Sequence, residues 1–291
     1  MATRQAGGRS ARSSAGRMID EPRGKRTRSR GRTSSSRSGR VRRRYAVVYD
    51  IDGPRVRLGI LWFVGAAVAL AGGPLPTAVV YGGAAAIAAA QAARVWRRRG
   101  ARPNEVVAAG MAGAMTMGAC LGSGGAGIGV LGGVIGAIAV ATSDPKSRRP
   151  TLADAGWTIQ CALPPGLAAM SMVLLARLDQ GSAIALLLLV SAYETGDYIV
   201  GSGARNPYEG PAAGLTAIVV ITFIVSTLPI SALSFGQAWF FGGVVAVLAP
   251  LGQLVASALL PAAGSPASAL RRLDSLLLAA PAWCIGLTLL L

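Results

Sequence analysis

Nine apolar stretches follow one another along the chain, at roughly 58–73, 76–95, 106–121, 127–141, 159–178, 182–201, 215–228, 237–260 and 273–291. Stretches approaching ~20 residues with so few charges are read as membrane-spanning helices, because they offer water no polar surface. Some fall short of that length and are expected to tilt, re-enter or extend beyond these bounds. Inside lipid every backbone N–H and C=O must find a partner within the protein, which a helix does within a single segment. The expected fold is therefore all-α: a polytopic membrane helical bundle of about nine transmembrane helices, occupying 58–291. With 52% hydrophobic and 14% charged residues, the composition agrees.

The charges between the stretches alternate. Arg94, Arg97, Arg98, Arg99 and Arg102 follow the second stretch, and Lys146, Arg148 and Arg149 follow the fourth. Arg205 follows the sixth, and Arg271 and Arg272 the eighth. The connections 73–75, 122–126, 179–181 and 229–236 hold no Lys or Arg, and Arg177 alone borders one of them. Positive charge on every second connection is the positive-inside pattern, placing the N-terminus in the cytoplasm and the C-terminus outside. The expected location is the inner (plasma) membrane of a bacterium. Residues 1–57 hold 17 of the 29 Lys and Arg but four of the 12 acids. So little apolar surface cannot offset the entropy of ordering, so this tail is read as disordered and cytoplasmic. Its charge fits a topology determinant or a contact with anionic lipid. Nucleic-acid binding is not expected, since no aromatic interleaving accompanies the arginines. The charged region is also far longer than a signal peptide allows, so the first stretch is read as a retained helix.

Within the sixth stretch lies Tyr193-Glu-Thr-Gly-Asp-Tyr198, which puts Glu194 and Asp197 on one helical face. Carboxylates at that depth are costly and ordinarily face a bundle interior or a wet cavity. The chain has no histidine, which excludes a His general base, a Ser-His-Asp triad and His-ligated metal. Cys120, Cys161 and Cys284 lie far apart inside stretches and are read as buried thiols. Carboxylates remain: Glu194, Asp197, Glu209 and Asp274, with Asp144 and Asp154 nearby. Hard oxygen donors of this kind suit Mg²⁺ paired with substrate phosphates. A lone loop carboxylate is ordinarily just solvated. Small residues such as Gly82–Ala90 suit close helix packing, and Gly122–Gly129 lacks the Lys and Ser-Thr of a phosphate-cradling loop. Pro164-Pro165 is expected to interrupt the fifth helix and kink it.

Leu270-Arg-Arg-Leu-Asp-Ser-Leu-Leu-Leu-Ala-Ala-Pro281 resembles the end of the phosphatidate cytidylyltransferase (CDP-diglyceride synthase) signature. Glu194-Thr-Gly-Asp-Tyr198 with Gly201 resembles that family's Asp-Thr-Gly-Ala-Tyr…Gly element, and Glu209-Gly210 its later Glu-Gly. The resemblance covers 159–291, which is similar to the family's catalytic half. It implies transfer of a cytidylyl group from CTP to phosphatidate, giving CDP-diacylglycerol and pyrophosphate. Asp274 and Glu194 would then be catalytic and hold Mg²⁺, while Arg271, Arg272, Glu209 and Asp197 would bind substrate. Membrane lipid, phosphatidate and CTP are the implied partners. A homodimer is allowed by the resemblance, although no residue pattern specifies one.

Several positions depart from the family pattern. Gly252-Gln253 stands where the family has Gly-Asp, and Ala256-Ser257 where it has Glu-Ser. The Lys-Arg and Lys-Asp pairs are missing, and the Gly-His-Gly-Gly turn reads Ser265-Pro-Ala-Ser268. Arg271 replaces the first Asp of Asp-Arg-x-Asp, leaving Arg272 and Asp274, and Asn206-Pro-Tyr208 replaces the Lys-Lys-Thr segment. Groups that act as a unit are not lost additively, so these changes point to an impaired site that keeps headgroup binding. An active nucleotidyltransferase with a remodelled site is the alternative. A small-molecule transporter is a third reading, in which Glu194 would face Pro164-Pro165 near the membrane midplane.

Overall fold

The computed structural model describes residues 54–143, 152–204, 206, 208–228, 233–262 and 265–290, with side chains from 58 onward. The disorder expected for residues 1–53 of the tail, Asp144, and the charges of Lys146, Arg148, Arg149 and Arg205 lie outside these residues, whereas residues 54–57, also expected in the disordered tail, are helical. Among the described residues there are nine α-helices and no strand. They are α1 (Pro54–Ala71), α2 (Pro74–Arg97), α3 (Glu105–Gly118), α4 (Ser123–Ser143) and α5 (Leu152–Leu178). The chain continues through α6 (Gln180–Gly201), α7 (Glu209–Thr227), α8 (Phe235–Ala258) and α9 (Leu276–Leu290). A 3₁₀ turn, Ala119–Leu121, extends α3, and a second, Leu270–Arg272, lies between α8 and α9.

Six helices, α2 and α4 to α8, are long and apolar enough to cross a membrane, whereas α1 (from Leu58), α3 and α9 are shorter apolar helices. The protein is thus an all-helical chain with the build of a membrane protein. Helices α4 and α7 run longer than their hydropathy suggests, because Gly and Ala continue a helix without adding much apolar signal. Helix α9 starts three residues later than expected, at Leu276. The preceding residues form a polar turn in which Asp274 Oδ1 accepts the Ser275 N–H at 2.8 Å.

Local capping fixes several starts. Asn104 accepts the N–H groups of Val106 and Val107 at 3.0 Å, and Asp179 accepts those of Gly181 and Ser182 at 3.2 and 3.0 Å. Ser234 and Gln237 form a reciprocal capping box at the start of α8. Gly73 and Gly122 adopt φ of +96° immediately before α2 and α4, where a side chain would be strained. Helix α5 continues through Pro164 and Pro165 instead of ending there.

Helix α5 is central, packing on α2, α3, α4, α6 and α9, with 61% of its most apolar window buried against 11% for α4. Helix α4 is peripheral and exposes Ile128, Leu131, Ile135 and Ile138, spaced as one helical stripe. An apolar stripe of that extent suits lipid rather than water. Cys161 and Cys284 are buried, Cys120 is half-buried, and all three are free thiols.

The connections group into two ends. At one, Arg94 and Arg97 pair with Glu105 at 3.1 Å, and the Asn104 N–H reaches Thr158 Oγ1 at 3.0 Å. These bonds bring together the end of α2 and the starts of α3 and α5. At the other end, Gln180 Nε2 donates to the carbonyls of Leu70 and Ala71 at 2.6 and 3.0 Å, and Arg177 donates to the Cys120 carbonyl.

The α3–α4 hairpin depends on glycine. A Cβ on Gly118 or Gly125 would strike the backbone of the other helix, and one on Gly129 would lie 2.7 Å from the Ala114 carbonyl oxygen. Gly122–Gly129 is therefore a turn and a packing face. Gly127 and Gly132 have nothing within 4 Å of the same point. Gly129→Val is expected to cost about 1–3 kcal/mol by overpacking, while Gly127→Val stays within about 0.5 kcal/mol. Thermal unfolding of both variants in detergent checks the difference.

Candidate functional site

A polar cluster is assembled from α6, α8 and the turn before α9. The Asp179 cap sets the start of α6, and from there helical spacing brings Tyr193, Glu194 and Asp197 to the bundle side. Tyr193 and Asp197 are buried and Glu194 is half-buried. On α8, Gly252, Gln253, Ala256 and Ser257 form a buried stripe at helical spacing. The turn contributes Arg271, Arg272, Asp274 and Ser275, of which Asp274 is only 7% exposed and Ser275 fully buried.

The turn lies hard against α8. A Cβ on Gly252 would collide with the Asp274 carbonyl oxygen, so the backbones meet only because that position is glycine. Arg271 Nη1 donates to Ser257 Oγ at 3.0 Å, and the Tyr193 hydroxyl donates to Gln253 Oε1 at 3.4 Å. Asp274 Oδ1 also accepts from the Ser275 hydroxyl at 3.3 Å. Helix α1 reaches the same region, since a Cβ on Gly59 would sit 3.2 Å from Arg272 Nη1.

The charges interact across these elements. Glu194 interacts with Asp274, Ser275, Arg272 and Asp197, and Asp274 with Arg271 and Asp197. Electrostatic interactions thus link three carboxylates with two guanidinium groups, and a buried ion is tolerable only beside its opposite. Burial holds the Asp274 carboxyl above the ordinary carboxylate range, opposed by the Arg271 charge and the Ser275 N–H. Burial likewise draws Arg271 below its ordinary value, and Asp274 opposes that shift.

Five of the six residues singled out from sequence are therefore neighbours: Glu194, Asp197, Arg271, Arg272 and Asp274. The sixth, Glu209, stands exposed at the start of α7, and Glu194 and Asp274 interact with other groups. Asp154, in the first turn of α5, is half-buried. Among the described residues, no three Cys, Asp or Glu side chains are grouped closely enough to hold a metal ion by themselves. The hard oxygen donors of Glu194 and Asp274 nevertheless suit a cation that also takes ligands from a substrate.

Sequence reasoning missed Tyr81. It sits on α2 with its ring edge-on to Trp62 at 5.6 Å, fully buried, and its hydroxyl has no hydrogen-bond partner among the described residues. Glu194 is the charged group that this hydroxyl senses. The signal was a lone tyrosine bordering the small-residue run of α2, which hydropathy does not separate from packing. Apart from Asp197, the charged partners of Glu194 come from the turn before α9.

No family model matches the chain, and no curated protein matches it.

A buried hydroxyl without a partner costs about 1–3 kcal/mol, so Tyr81→Phe should leave the melting temperature of the purified protein unchanged or raise it. Gly252→Ala should lower it, because the Asp274 carbonyl cannot retreat without dismantling the turn. A clear loss of stability in Tyr81→Phe would mean that the hydroxyl is bonded in the folded protein.

Proposed function

We propose that the chain is a multi-pass membrane protein of the phosphatidate cytidylyltransferase type, whose polar cluster binds a phospholipid phosphate without transferring a nucleotide. The observation that carries this reading is the convergence of Glu194, Asp197, Asp274, Arg271 and Arg272 from segments some 75 residues apart in sequence. In the proposed topology all nine helices span the inner membrane. The N-terminus is cytoplasmic, the C-terminus external, and the end carrying Arg94, Arg97, Arg271 and Arg272 faces the cytoplasm.

The roles follow from the chemistry of each group. Arg271 and Arg272 present guanidinium groups to phosphate oxygens, where a planar fork is the suitable donor. Ser257 and Asp274 orient Arg271 from either side. Asp197 and Glu194 balance that positive charge, so an incoming phosphate must compete with the protein's own acids. Transfer would also demand acids at the positions of Gln253, Ala256 and Arg271. Gln253 supplies a neutral acceptor to Tyr193, Ala256 supplies nothing, and Arg271 reverses the charge. Groups that work as a unit fail as a unit, which favours binding over catalysis.

The closeness of Glu194, Asp274 and Arg272 supports one competing reading, an active enzyme with a remodelled site. In it, Glu194 and Asp274 would hold Mg²⁺, which when bound would offset phosphate charge. Arg272 would then screen the lipid phosphate. Purified protein given labelled CTP, phosphatidate and Mg²⁺ separates the two. The expected result is saturable phosphatidate binding, weakened about tenfold in Arg272→Gln, with no CDP-lipid formed. CDP-lipid that disappears in Asp274→Asn would overturn the non-catalytic reading.

A further inference from the structure

A second polar feature lies apart from the acidic cluster. A cleft of about 360 Å³ is lined by Val95, Arg98, Arg99, Ala262, Ser265 and Pro266, between the end of α2 and the connection leaving α8. Its walls are braced. Trp96 Nε1 donates to the Leu259 carbonyl at 2.8 Å, and the Gln91 side chain accepts the Ala269 N–H at 3.0 Å. Gln91 Nε2 also reaches Ser268 Oγ at 3.4 Å. Three hydrogen bonds therefore tie α2 to the segment that forms the other side of the cleft.

The arginines nearby divide into two kinds. Glu105 engages both Arg94 and Arg97, at 3.1 Å each. Among the described residues no carboxylate pairs with Arg98 or Arg99, and both are exposed at the cleft. Nor are they needed to close α2. The carbonyls of Arg94, Trp96 and Arg97 already accept the N–H groups of Arg98, Arg99 and Gly100. Two uncommitted guanidinium groups beside the Ser265 hydroxyl form a donor set for a phosphate oxyanion. Trp96 packs on Trp157 with ring centroids 4.3 Å apart, and paired tryptophans at a helix end mark the headgroup level of a membrane. The volume is at the small end for ligand sites, which suits a headgroup and excludes a whole lipid.

We propose that this cleft is a second binding site, taking the headgroup phosphate of an anionic phospholipid at the membrane surface. It shares no residue with the cluster around Glu194 and Asp274. It also carries positive charge where that cluster carries acids, so the two sites respond to different substitutions.

The test uses the full chain in a zwitterionic detergent, with short-chain phosphatidylglycerol, short-chain phosphatidylcholine or inorganic phosphate as the probe, and thermal unfolding as the readout. Phosphatidylglycerol should stabilise the protein and phosphatidylcholine should not. Arg98→Gln with Arg99→Gln should weaken that response by roughly fivefold per arginine. Arg28→Gln with Arg30→Gln, which removes the same charge from the tail, should leave it intact. Equal losses in the two arginine double variants would reduce the effect to diffuse attraction and overturn the site. So would a response abolished by Asp274→Asn but kept by Arg98→Gln with Arg99→Gln, which would assign it to the acidic cluster. Inorganic phosphate reproducing the whole stabilisation would overturn the lipid assignment.

Discussion

Close approach of helix backbones is the constraint on which the rest of this structure depends. Lipid offers little hydrophobic drive between helices, so association rests on packing contacts that only small residues permit. Glycine occupies the crossing points. A Cβ on Gly166 of α5 would lie 3.2 Å from the Ala112 Cα of α3, and one on Gly196 of α6 would lie 2.9 Å from the Ala213 carbonyl oxygen of α7. Gly242 admits Thr222, and Gly286 admits the Phe241 ring, which itself stacks on Trp283 at 4.6 Å. The same device builds the site, because Gly252 is what allows the Asp274 carbonyl to rest on α8. Packing and polar chemistry are therefore one problem here, and a methyl group at Gly252 disturbs both.

The second requirement is electrostatic. Three carboxylates in a partly dry volume repel one another strongly unless cations lie among them. Arg271 and Arg272 enter from the turn before α9, and the Ser275 and Ser257 hydroxyls bond the turn to itself and to α8. The arrangement accounts for the late start of α9. Residues Leu270 to Ser275 serve as a charged platform instead of a first helical turn. An oxyanion bound here, as proposed, would meet two guanidinium groups that already interact with acids, so its binding would be an exchange of partners. That favours selectivity for groups that offer several oxygens at once, as a phosphate does.

Much of the fold was legible in the sequence because lipid narrows the choices. Once nine apolar stretches were present, the backbone had to be helical, and each stretch corresponds to one helix among the described residues. Boundaries were less legible where Gly and Ala dominate, as in α4 and the start of α7, since neither residue registers strongly in hydropathy. Pro164-Pro165 lies within one continuous helix, with Gly166 directly beside Met115. For the site, the spacing of Glu194 and Asp197 placed them on one face, whereas their interaction with the turn before α9 is seen only in the fold. Glu209 matched a motif by sequence yet stands exposed at a helix start, because a two-residue match carries no information about depth. Tyr81 left only an ambiguous signal, a lone tyrosine beside a small-residue run, since the surroundings of its hydroxyl are visible only in the fold.

The account stands or falls on whether α6 and the turn before α9 form a single charged site. A double-mutant cycle on Glu194→Gln and Arg272→Gln, read as unfolding free energy in detergent, measures that directly. The account predicts a coupling of at least about 0.5 kcal/mol between the two substitutions. Strictly additive effects, within roughly 0.3 kcal/mol, would contradict it and separate the two segments.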